Sequence, residues 1–301
     1  MTDWLAAVSG TPDGRLVAMG LALFAAVAHA AFGALQKGRH DPWLSRGAID
    51  VCYSVMALPV ALFLVPWPEG MAWVLLGGAV AIHVGYKLCQ AMAYDLGAFT
   101  VVYPVVRGTG PLVTVAAAGI VFGEHYAATQ WLGVVMLSGG ILLLSAVNVS
   151  ASGLDRHRLV RALGWASVTG VFVAAYTTFD AYGIRYTPNP FTFLAWFFVL
   201  DGLVFPWIAF ARYRMQPDPP ELAGLLRRGI VGGLVAYLSF GSIMLATRID
   251  KVGQAAVLRE TSVVFAALIG WAFLGERVGT LRAGLVILIG LGAVVVEFGG
   301  R

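Results

Sequence analysis

Charge is scarce in this sequence. Of 301 residues only 12% are Asp, Glu, Lys or Arg, against about 25% in a soluble globular chain. Hydrophobic residues make up 59% and the mean hydropathy is +0.81, which excludes an ordinary cytosolic enzyme. Cysteine is almost lacking: Cys52 and Cys89 both fall in apolar segments, where they read as small hydrophobes rather than a disulfide or metal pair. No His, Asp or Glu group stands at a recognised metal-ligand spacing and no nucleotide-phosphate loop appears, so neither a metal nor a cofactor is expected. A membrane-embedded enzyme, which needs a nucleophile with an oriented base or clustered ligands, is the least favoured class. The net charge of +4 and a pI near 9.2 do not mark a nucleic-acid binder, because the basic residues sit at helix ends rather than in one exposed block.

Long apolar runs fill the space that charge leaves. A bilayer core takes about 20 apolar residues per helical span, and ten runs of that size are present. The first five are Leu16 to Gln36, Arg46 to Val65, Met71 to Tyr94, Phe99 to Phe122 and Thr129 to Val147. The second five are Val160 to Arg185, Pro190 to Ala211, Leu225 to Thr247, Gly253 to Phe273 and Leu281 to Phe298. Helices are required, since backbone groups cannot stay unpaired in lipid and these runs are too long for barrel strands. The first run lacks a basic leader and is kept as a mature helix. The class is therefore an all-α integral membrane protein with the lipid bilayer as partner.

A shift of 152 residues lays Arg107 on Arg259, Thr109 on Thr261, and Gly123-Glu124 on Gly275-Glu276; Pro59 and Pro206 recur 147 apart. Residues 1–150 and 151–301 read as two five-helix repeats in one membrane domain. An odd number of spans per repeat forces the two into opposite orientations, with the substrate expected between them near the midplane. Chance matching of small residues is the plain alternative. With Lys87, Arg107 and Arg259 set aside as lying within spans, the other Lys and Arg, in loops or at span ends, divide twelve to five between the two faces, the twelve lying after spans one, five, seven and nine. By the positive-inside rule both termini face away from the cytoplasm.

The stretches Val102-Tyr103-Pro104 through Pro111 to Phe122-Gly123-Glu124, and Ala255 through Leu274-Gly275-Glu276, resemble the paired EamA repeats of the drug/metabolite transporter superfamily. So do the Gly-bearing starts Gln130-Trp131-Leu132-Gly133 and Arg282-Ala283-Gly284. The second half departs from the pattern with Val263 where the first has Pro111. The resemblance covers nearly the whole chain and implies a ten-helix exporter or exchanger of the bacterial inner membrane. Its closest likeness within the superfamily is to bacterial amino-acid exporters, with nucleotide sugars and drugs as alternative cargo. A passive channel is the remaining class.

Ionisable residues inside spans are costly and mark a path or a binding site. His83, Lys87, Gln90 and Tyr94 fall at i, i+4, i+7 and i+11 and share one face of the third span; Tyr103 and Arg107 repeat the arrangement in the fourth. Lys87 or Arg107 would meet a substrate carboxylate, Arg with a rigid donor fork and Lys as a point charge. Against this, Lys87 would snorkel to an interface and Arg107 would bond backbone freed by Pro104 and Pro111. Arg259 is the repeat counterpart of Arg107, and Arg259 and Glu260, being adjacent, are expected to find different partners. His29, Asp50, Asp180, Asp201 and Glu260 are candidate proton carriers or counter-ions. Tyr176 and Tyr237 would add an aromatic lining suited to flat apolar groups or to an ammonium. Ordinary packing is the alternative for these rings and for the histidines. Glu124 and Glu276 read as helix-terminal salt bridges, with Arg277 or a facing Arg as partner. The sequon Asn148-Val149-Ser150 lies beside a basic loop assigned to the cytoplasm, which argues against glycosylation.

Overall fold

A computed structural model describes residues 2–35, 41–97, 99–150, 155–274 and 279–300, and among them every regular element is an α-helix. In chain order these are α1 (Thr2–Val8), α2 (Pro12–Leu35), α3 (Pro42–Phe63), α4 (Met71–Leu96), α5 (Phe99–Phe122) and α6 (Ala128–Ser150). The second half holds α7 (Arg156–Tyr186), α8 (Pro190–Met215), α9 (Leu222–Ile249), α10 (Val252–Glu260), α11 (Ser262–Leu274) and α12 (Thr280–Phe298). Among the described residues ten stretches are long and apolar enough to cross a membrane. They match the ten expected runs, with α10 and α11 together forming the ninth.

Local chemistry sets the starts. Asp41 accepts from the N–H groups of Trp43 and Leu44 at 2.8 and 3.1 Å, ahead of Pro42 at the first helical position; Asn189 caps α8 in the same way before Pro190. These caps satisfy donors that a helix start leaves open. Asp155 caps α7, so that helix begins four residues earlier than hydropathy indicates. Two features were not expected: the short α1, and the break at Thr261. There Thr261 turns its hydroxyl onto the Leu258 carbonyl at 2.6 Å, a local bond that competes with helix continuation.

The helices pair across the two halves: α3 on α8, α6 on α12, α4 on α7, α2 on α9, α5 on α7, and α10 with α11 on α2. Exchanging the first five spans for the second five carries this set of pairs onto itself. Helices α6 and α12 cross at glycines, where a Cβ on Gly133 or on Gly292 would stand 2.7 Å from the other's carbonyl oxygen. The aromatic core lies between α3, α4 and α8 around Tyr53, Phe193, Phe197 and Phe198. The outer surface is apolar: Ile120 is 85% exposed and Phe63 80%. Such a surface suits lipid rather than water.

Candidate functional site

A cavity of about 150 Å³ lies among α2, α3, α4, α5, α7, α8, α9 and α10. It extends from the middle of the bundle toward the end where α3 and α5 begin and α4 finishes, since Pro42, Arg46, Gln90, Tyr94 and Tyr103 line it. That end carries the more basic loops. Of the residues expected at a cavity, His83, Lys87, Gln90, Tyr94, Tyr103, Arg107, Tyr176 and Arg259 all line this one. Tyr237 does not. Helix α9 presents Ala236, Ser239, Phe240 and Ile243 to the space, an i, i+3, i+4, i+7 face. Tyr237 stands one residue off it and stacks on Phe198 at 4.6 Å.

Lys87 is wholly buried and its three donors are engaged. Its Nζ lies 2.6 Å from Asp50 Oδ2 and 2.9 Å from Asp201 Oδ2, and it donates to the Tyr53 hydroxyl at 3.0 Å and the Asp201 carbonyl at 2.9 Å. Tyr53 in turn donates to Asp201 Oδ2 at 2.5 Å, and Arg46 Nε pairs with Asp50 Oδ1 at 2.9 Å. Two cations meet two carboxylates, and the group is neutral in itself. Lys87 therefore neither snorkels to an interface nor holds a charge free for a ligand.

Arg107 faces a different balance. Its NH1 lies 3.0 and 3.3 Å from the two Glu260 oxygens, its NH2 meets His29 Nε2, and its guanidinium lies over the Tyr103 ring, 5.2 Å from the centroid. Arg259 reaches the same Glu260 oxygen at 3.4 Å through Nε and NH2. Arg259 thus bonds its own neighbour, and Glu260 serves Arg107 and Arg259 together, contrary to the expectation of separate partners, because α10 ends at Glu260 and regular helix spacing ends there with it. Two arginines with one carboxylate leave a surplus positive charge in a low-dielectric setting, where charge attracts an anion strongly.

His83 occupies the third corner. Its Nε2 lies 2.8 Å from Asp180 Oδ2, both residues being almost fully buried. Its ring packs against Tyr176 at 4.4 Å, Phe197 at 4.7 Å and Phe240 at 5.3 Å. Arg46, Lys87, Arg107 and Arg259 face an equal number of carboxylates, Asp50, Asp180, Asp201 and Glu260, but the charges are not evenly matched in space. The arginine pair is the positive pole and Asp180 behind His83 the negative one.

The far end of the bundle is closed by a polar clasp. Glu124 accepts from the N–H groups of Val252 and Gly253 at the start of α10, at 2.7 and 3.2 Å, and from the Tyr126 hydroxyl. Arg185 stands 3.8 Å from Glu124 and donates to the carbonyls of Thr247 and Asp250. Lys251 donates to the His125 carbonyl. Burial and the neighbouring Glu124 carboxylate hold the Tyr126 phenol well above its ordinary range, so it stays a neutral donor. The expected facing arginine for Glu124 is Arg185, but its chief role is to cap a helix. Glu276 and Arg277 lie outside the described residues, as do the side chains of the sequon Asn148-Val149-Ser150. Cys52 and Cys89 are buried free thiols.

Residues 160–298 match the EamA-like transporter family. No curated protein matches the chain. A solved crystal structure is similar over 96% of this chain and 98% of its own at a TM-score of 0.76 and 16% identity, which shows a shared fold.

Proposed function

We propose that the whole chain, and not only the matched second half, is a transporter of the drug/metabolite superfamily. Its function is to export small amphipathic metabolites, foremost amino acids with aromatic or large neutral side chains. The observation that carries this reading is the polarised cavity: a surplus positive charge at Arg107 and Arg259, the Asp180 carboxylate lying behind the cavity-lining His83, and aromatic walls between. A zwitterion with a flat apolar side chain complements all three. Anionic nucleotide sugars would leave Asp180 unanswered, and cationic drugs would leave the arginine pair so.

Movement follows from the duplicated arrangement. The self-mapping helix pairs support two inverted five-helix repeats, residues 1–150 and 151–301, that rock about the central cavity and expose it to one side at a time. In this conformation the Glu124 clasp shuts one end while the cavity reaches toward the other. With the basic loops in the cytoplasm of a bacterial cell and both termini outside, the cavity faces the cytoplasm. The substrate loads there, and release follows when the clasp opens.

The test is counterflow in proteoliposomes. Vesicles preloaded with unlabelled amino acid should accumulate labelled phenylalanine or leucine, and should do so less well with Arg107→Ala. Vesicles that move no amino acid, but move a nucleotide sugar or a cationic drug, would overturn the substrate assignment.

A further inference from the structure

We infer that His83 is the acceptor for the ammonium group of the substrate, and that Asp180 is a positioning residue that fixes the imidazole in the tautomer this requires. The inference rests on the amino-acid reading above and deepens it by naming the group that reads the amine. A carboxylate only accepts hydrogen bonds, so the Nε2 that lies 2.8 Å from Asp180 Oδ2 carries the proton, and in the neutral ring Nδ1 is left with a lone pair. His83 lines the cavity, and among the described residues no protein group bonds Nδ1.

The surroundings favour a cation at that nitrogen. Asp180 Oδ1 is buried without a hydrogen-bond partner, so the negative charge behind the ring is not spent on another donor. The rings of Tyr176, Phe197 and Phe240 pack around the imidazole, and Tyr86 lies beyond at 6.2 Å. They keep water out and can hold an ammonium over a ring face. The one cation nearby on α4, Lys87, is neutralised by Asp50 and Asp201 and does not compete for Asp180. Tyr176, in contact with His83, lines the same cavity as Arg107 and Arg259, so one small molecule in that cavity can face both poles.

Two probes decide it: phenylalanine and its des-amino analogue 3-phenylpropanoate, each measured by counterflow and by thermal shift of the purified protein. Wild-type protein should favour phenylalanine over 3-phenylpropanoate by at least about tenfold, as expected when a site built for a polar group meets an analogue lacking it. His83→Phe, which keeps an aromatic ring but has no acceptor, should bring that ratio near one. Asp180→Asn should do likewise, because an amide both donates and accepts and no longer fixes the tautomer. Equal handling of both compounds by wild-type protein would overturn the inference without recourse to any variant. So would an unchanged ratio in folded His83→Phe and Asp180→Asn. A wild-type protein that moves neither compound would instead sink the amino-acid reading on which the inference rests.

Discussion

Replacing Lys87 by methionine separates a structural role for this residue from a substrate-binding one. The side chain is fully buried, and it supplies the second positive charge to two carboxylates 2.6 and 2.9 Å away. Methionine keeps most of the volume but leaves Asp201 with only the Tyr53 hydroxyl and Asp50 with only Arg46. Orphaning one side of a buried ion pair costs about 3–5 kcal/mol. At roughly 2 °C per kcal/mol, the lower end for a large domain, that lowers the melting temperature by about 6–10 °C. The assay is thermal unfolding in detergent followed by tryptophan fluorescence. The paired variant Lys87→Met/Asp201→Asn removes the excess negative charge and should recover more than half of the loss. If Lys87→Met melted with wild-type protein and only raised KM, Lys87 would be a substrate contact and the charge assignment around it would be wrong.

Arg259→Gln should raise KM for phenylalanine about tenfold or more while changing phenethylamine little, because it removes the surplus charge that a carboxylate meets; initial rates of counterflow measure both. Gly292→Val should destabilise the protein by about 1–3 kcal/mol through overpacking at the α6–α12 crossing, where even a Cβ would approach Gly133 O and Leu137 N to 2.7 Å, and a lower melting temperature reports it. Glu124→Gln should loosen the clasp by weakening charge-assisted hydrogen bonds worth about 1.5–3 kcal/mol each. A cysteine placed at Val252 should then react at least about tenfold faster with an impermeant maleimide, whereas an unchanged rate would mean that Glu124 does not hold that end shut.

The ten spans were legible because hydropathy acts along the chain, and so was the α4 face, since His83, Lys87, Gln90 and Tyr94 need only helical spacing to line up. What the sequence hid was pairing. Lys87 finds Asp50 37 positions away and the Asp201 carbonyl 114 away. Asp180 lies 97 from His83, and Arg107 lies 153 from Glu260. Nothing local distinguishes a lysine neutralised by two such partners from one held for a ligand. The same limit placed Tyr237 at the cavity, because the lining face of α9 is set by packing against α3 and α2, and it left Phe240 and Phe197 unnoticed among many aromatics. The break at Thr261 had a visible signal in Thr261-Ser262, two hydroxyl residues that compete for backbone bonds. Only the folded chain shows that Arg259 and Glu260 meet there.

The most direct measurement of the central claim is trans-stimulated efflux from proteoliposomes. Vesicles loaded with labelled phenylalanine should release it along a saturable curve, faster when unlabelled phenylalanine is present outside than when it is absent, as expected for a carrier that returns more quickly loaded than empty. Release that rises linearly with concentration and ignores the external amino acid would mean an open pore, and would contradict alternating access through a cavity between two five-helix halves.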